Sequence, residues 1–162
     1  MRNLRGFTLI EMMITVAIMG IAASIIMPAL ANTDYSVVKA GASLMVGDFD
    51  FAQTMAISDP SDMTVVKFDS VNSRWWVAPF TKPNTPYVKP YSTETYDTTM
   101  GVGRAYLATG VTFTLANVTN NMIAYNAFGQ LNQTTNPGVT LIYGSVSATI
   151  TIDAETGFLK VN

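Results

Sequence analysis

Residues 7–31 hold 25 positions, and Glu11 is the only charged one among them. As a helix, this run extends about 37 Å at ~1.5 Å per residue, more than the ~30 Å of a bilayer core. Two bases, Arg2 and Arg5, precede it, whereas residues 34–162 carry ten acids against seven bases. The charge asymmetry keeps the N-terminus in the cytoplasm and sends the rest of the chain outward. An intramembrane carboxylate costs at least a few kcal/mol unless it has a partner. Glu11 therefore needs a reason to be there.

Little else in the composition offers chemistry. The chain has no Cys and no His, so thiolate nucleophiles, disulfides, imidazole bases and imidazole metal ligands are all excluded. Hydrophobic residues make up 49% and charged residues 12% of its 162 positions, which leaves room for one domain and an anchor. No basic run marks a nucleic-acid surface. No catalytic constellation appears, so the chain reads as a non-enzyme. Asp153 and Glu155 in DAETG are too few for a Ca²⁺ cage, and a turn ending in Gly accounts for them. The chain is read without metal or cofactor.

The residues around Glu11 carry a specific pattern. Gly6-Phe7-Thr8-Leu9-Ile10-Glu11, behind a short basic leader and heading the apolar run, closely resembles the processing site of type IV prepilins and type II secretion pseudopilins. The resemblance implies a leader over residues 1–6, cut after Gly6 by a prepilin peptidase/methyltransferase, with N-methylation of Phe7. Once Phe7 is the N-terminus, Glu11 lies four residues on, on the same helical face. The macrodipole also favours a carboxylate there. The resemblance further implies that Glu11 meets the Phe7 amine of an adjacent subunit and so sets the stagger between packed helices; the alternative is that Glu11 snorkels to the interface. Pro28 falls where many family members bend the helix, and a proline there removes one backbone bond. Ala17, Gly20, Ala22, Ala23 and Ser24 permit close helix approach.

Beyond the apolar run, residues 34–57 keep helical spacing. Val37, Gly41, Leu44 and Asp48 form one row, and Ala42, Met45, Phe49, Ala52 and Ala56 a more apolar one. Asp59-Pro60 ends the helix. Period-two stretches then predict seven short strands over residues 63–69, 74–80, 111–115, 123–128, 139–143, 147–152 and 158–161, the first two joined as a hairpin. Residues 81–105, with Pro83, Pro86 and Pro90 among tyrosines, read as a long loop without regular strand. Tyr87, Tyr91 and Tyr96 either form a contact surface or complete the core. Of the adjacent Trp75 and Trp76, one belongs to the core and the other to a contact. Asp48, Asp50, Asp59 and Asp62 read as helix-end and solvent-face residues, and Gly101-Val-Gly103 as a glycine pair that opens no helix.

The expected fold is α+β. A long N-terminal helix, membranous over residues 7–31 and amphipathic over residues 32–60, packs on an antiparallel extracytoplasmic β domain over residues 61–162. Its layout resembles the GspH/FimT-type minor pseudopilins, whose two-sheet domains end in a similar strand–turn–Gly–strand unit. The resemblance implies a structural subunit of a type II secretion pseudopilus or type IV pilus. It would sit as a single-pass inner-membrane precursor with its C-terminal domain in the periplasm. Its partners would be other pilin or pseudopilin subunits and an inner-membrane assembly platform. Two alternatives remain: a major type IV pilin, and an exported binding or adhesion module cut at Ala29-Leu30-Ala31 as a conventional signal.

Overall fold

A computed structural model describes residues 7–30 and 33–162, without the side chains of residues 25–30. Contacts divide the chain into two units, Met1–Thr33 and Asp34–Asn162. The first contains helix α1 (Leu9–Leu30). Helix α2 (Thr33–Ser58) opens the second and is followed by β1 (Thr64–Asp69), β2 (Arg74–Pro79), β3 (Asp97–Thr99), a 3-10 segment (Gly103–Ala108), β4 (Thr112–Ala116), β5 (Met122–Tyr125), β6 (Gly138–Tyr143), β7 (Val146–Ile152) and β8 (Leu159–Val161). The strands form two antiparallel four-stranded sheets, ordered β3-β2-β1-β5 and β4-β6-β7-β8. The α+β class and the helix-on-sheet packing expected from the sequence are both present.

The inner row of α2 is Val38, Gly41, Ala42, Met45, Asp48, Phe49, Ala52 and Ala56, all buried. An aromatic series joins this row to both sheets. Phe49 on α2 lies 6.1 Å from Phe68 on β1, and Phe113 on β4 lies 5.8 Å from Phe68 and 6.2 Å from Trp75 on β2. Such ring pairs contribute about 0.5–1.5 kcal/mol beyond the area they bury. A glycine in mid-helix costs ~1 kcal/mol against Ala, yet Gly41 has a steric reason. A Cβ there would lie 3.1 Å from the Met100 methyl, 3.2 Å from Leu141 and 3.3 Å from Ala108.

Four expectations need correction. Asp48 is not a solvent-face residue. Its side chain is buried between α2 and the first sheet, where Oδ2 accepts hydrogen bonds from Trp75 Nε1 (2.8 Å), Thr98 Oγ1 (3.3 Å) and Arg104, the last also an ion pair. Residues 81–105 are not free of strand, because β3 forms an edge paired to β2 in the register Trp75↔Thr98. The Gly101–Gly103 pair does open a helical segment, though a short 3-10 one with Ala105 outside helical geometry. Among the described residues there are eight strands rather than seven, the extra one being β3.

Two of the tyrosines pack against the core and the third is exposed. Tyr96 stacks on Phe51 of α2 at 3.7 Å between ring centroids, and Tyr87 meets the same ring edge-on at 6.3 Å. Tyr91 is fully exposed at φ +58°. Trp75 is core. Trp76 lies on the outer face under the Arg74 guanidinium and donates Nε1–H to the Pro83 carbonyl.

The C-terminal turn docks on the end of α2. Asp153 Oδ1 accepts from Thr156 Oγ1 (2.8 Å), Thr156 N (2.9 Å) and Glu155 N (3.1 Å). The Thr156 hydroxyl and the two amides hold the Asp153 carboxyl below its ordinary range. Gln53 Nε2 donates to the Gly129 carbonyl (2.8 Å) and the Thr156 carbonyl (3.1 Å). Gly157, at φ +74°, has no room for a Cβ between the Gly129 carbonyl and the Gln53 amide.

Two stability outcomes follow. Asp48→Ala strips the Trp75 indole and Arg104 of their acceptor, and losing one partner of a buried pair costs about 3–5 kcal/mol. Urea denaturation followed by tryptophan fluorescence should show a midpoint well below that of the parent. Gly157→Ala combines a left-handed backbone, about 1–2 kcal/mol, with the steric clash, and the same titration should show a loss larger than strain alone.

Candidate assembly site

Helix α1 begins with a side-chain cap. Thr8 precedes the first helical residue, and its Oγ1 accepts from the Glu11 amide at 3.3 Å, while the Thr8 carbonyl accepts from the Met12 amide at 3.2 Å. Thr8 is thus the N-cap and Glu11 the third helical residue. This is the Thr-x-x-Glu spacing of a capping box, with the threonine half of its bonds formed. The local chemistry places an acid where the helix N-terminus concentrates unpaired N–H groups and positive potential. The Glu11 side chain is exposed and has no ion-pair partner among the described residues.

Around the cap the surface is apolar on every side. Phe7 is 77% exposed, and Leu9, Ile10, Met12, Met13, Ile14, Val16, Ile18, Met19 and Ile21 are each more than half exposed. A helix with no polar face has to be covered by lipid or by other helices. The two hydroxyls in this stretch return to their own backbone: Thr15 Oγ1 donates to the Met12 carbonyl at 2.8 Å and Ser24 Oγ to the Ile21 carbonyl at 2.7 Å. These hydroxyls are therefore satisfied internally, as an apolar surround requires. Among the described residues, no helix is long and apolar enough to cross a membrane.

Of the residues singled out in the sequence, Phe7 and Glu11 are four apart at the exposed start of α1. Gly6 and the leader over residues 1–6 lie outside the described residues. Pro28 lies within α1, its side chain outside the description. Ala31 and Asn32, where the two helical halves meet in sequence, are also outside it. The sequence reading missed the cap at Thr8, although Thr8 and Glu11 stand three apart ahead of an apolar run, which is the capping-box signal. It also missed the Asp48–Arg104 cluster. The signal there was an acid on the same helical row as Val37, Gly41 and Leu44.

The second unit is an α+β fold, a helix laid on two small antiparallel sheets, and three solved chains match its architecture. It is similar to the minor pseudopilin EpsH from the type 2 secretion system of Vibrio cholerae, with a TM-score of 0.51 at 14% identity, covering 77% of this chain and 94% of that one. It is also similar to the type IV minor pilin FimU of Pseudomonas aeruginosa in two crystal forms. Their TM-scores are 0.52 and 0.50 at 10% identity, covering 81% and 76% of this chain and 91% and 90% of those. Identities this low establish the fold alone. In sequence, residues 1–27 match the family described as the prokaryotic N-terminal methylation motif. No curated protein matches the chain in sequence.

The cap yields a local test. Replacing Thr8 by Val removes the acceptor and costs the helix start about 1 kcal/mol. Amide hydrogen exchange in micelles should speed up at Glu11 while the amides after Val16 keep their protection.

Proposed function

We propose that the chain is a structural subunit, a minor pseudopilin or pilin-like protein, of a type II secretion pseudopilus or a type IV pilus. The observation that carries this reading is a helix start capped by Thr8 that heads an apolar rod exposed on all sides, inside a matched N-terminal methylation motif. The similar fold of a minor pseudopilin and a minor pilin supports the same class. The activity is assembly rather than catalysis.

In this reading a prepilin peptidase cuts after Gly6 and methylates the new terminus at Phe7. The subunit waits in the inner membrane as a single-pass protein, with the domain over residues 61–162 in the periplasm. On entering the filament, the helix over residues 7–31 exchanges lipid for the helices of other pilin or pseudopilin subunits, delivered through an inner-membrane assembly platform. The Phe7 α-amine and the Glu11 carboxylate are opposite charges in an apolar surround. A stagger that pairs each with its counterpart on a neighbour neutralises both, whereas others leave a buried ion. Pro28 supplies the bend.

The test starts with the mature N-terminus. Mass spectrometry of the membrane-extracted protein should find a chain starting at N-methylated Phe7. A start near Asn32 would instead mark a secreted module released by a conventional signal. Gly6→Leu should leave the leader attached. Glu11→Val should be processed normally, yet its incorporation into filaments should fall at least ten-fold by immunoblot of sheared fibres. Wild-type incorporation of both variants refutes the mechanism.

A further inference from the structure

A cleft of about 760 Å³ follows the outer edge of β3. β3 is the terminal strand of its sheet. Hydrogen bonds from Val77 N to Tyr96 O and from Met100 N to Ser73 O, with Trp75 opposite Thr98, direct the backbone groups of Thr98 inward to β2. By the alternation of an antiparallel ladder, those of Asp97 and Thr99 point outward. The Thr99 carbonyl is taken by the Val102 amide. Among the described residues the Asp97 N–H and C=O and the Thr99 N–H have no backbone partner, which leaves an open edge along the cleft.

Two guanidinium groups flank that edge, one on each face of the sheet. On the outer face, Arg74 is held by Asp97 through Nε at 2.8 Å and through Nη2. On the inner face, Arg104 is held through Nε to Thr98 Oγ1 at 2.9 Å and through Nη2 to Asp48 and Thr98. In both arginines Nη1 has no acceptor among the described residues. Lys89, the third cation of the lining, is tied only to the exposed Glu94, a surface pair worth about 0–1 kcal/mol and readily exchanged. Arg104 is felt across the cleft. After Lys89, its charge helps hold the Glu94 carboxyl below its usual range.

We propose that the β3 edge is a docking site for an extended, acidic segment of a partner protein, added to the first sheet as a fifth strand. The open N–H and C=O groups select extended backbone over helix. Successive residues of an added strand face opposite sides of the sheet, so two adjacent acids would reach the Nη1 edge of Arg74 on one face and of Arg104 on the other. A neutral segment would leave these Nη1 donors unmatched, and a basic one would offer them no acceptor. The site lies wholly in the outer domain and does not depend on the filament reading.

The test uses the full-length protein in micelles and three fluorescein-labelled peptides. One is an octapeptide of alternating Thr and Val with a central Glu-Asp pair, the second carries Lys-Lys at the centre, and the third is the acidic peptide with alternate N-methylated amides. Fluorescence anisotropy should show saturable binding of the acidic peptide and at least ten-fold weaker binding of the other two. Thr99→Pro deletes only an outward N–H, and Arg74→Gln removes one cation. Each should weaken the acidic peptide at least ten-fold with unchanged far-ultraviolet circular dichroism. Loss of that spectrum in Arg74→Gln leaves Thr99→Pro and the peptide series to decide. The proposal is overturned if the acidic peptide does not saturate, if either control peptide matches it, or if Thr99→Pro binds as the parent does. Self-association through β3, abolished by Thr99→Pro without any peptide capture, would give the edge to a second copy and overturn it too.

Discussion

A single buried carboxylate organises the outer domain. Asp48 reaches from α2 into the first sheet and gathers an indole N–H from β2, a hydroxyl from β3 and a guanidinium from the 3-10 segment. An ionised group there would cost several kcal/mol without partners, so the four elements are bound to one another through the acceptor they share. The consequence reaches the surface. Arg104 and Thr98 are positioned by the same contacts, and with them the inner wall of the cleft along β3. What stabilises the helix-to-sheet junction therefore also shapes the cleft along β3.

The N-terminal unit obeys a different rule. Its helix exposes large apolar side chains on every side and returns its hydroxyls to its own backbone, so isolation in water is not its stable condition. Its one charge stands where a helix N-terminus tolerates an acid best, in the first turn after the Thr8 cap. The outer unit buries its apolar surface internally, through α2 and the aromatic series from Phe49 to Trp75. One unit has a completed core, and the other needs partners to cover it.

Much of this was readable along the chain. The motif around Glu11, the apolar run, the apolar row of α2 from Ala42 to Ala56 and the hairpin of β1 and β2 are all local patterns, and the last two appear where the periodicity put them. The failures share a cause. β3 has three residues in a Pro-, Thr- and Tyr-rich stretch, too short to show period two, and it is a strand because β2 offers it a ladder. Tyr87 and Tyr96 belong to the core because Phe51 lies beneath them, and Tyr91 is exposed because its turn carries it away. Nothing local distinguishes the three.

What the sequence alone determined is the greasy rod, its singly charged start, and a helix followed by strands, because these rest on spacings of two to four residues. Tertiary structure decided that Asp48 is an internal hub, that a short loop segment is a sheet edge, and that two arginines flank it. Those outcomes rest on contacts between residues 23 to 56 positions apart. A charge becomes structural only when folding removes its water and supplies partners in exchange, and the order of residues along the chain does not show where water will be absent.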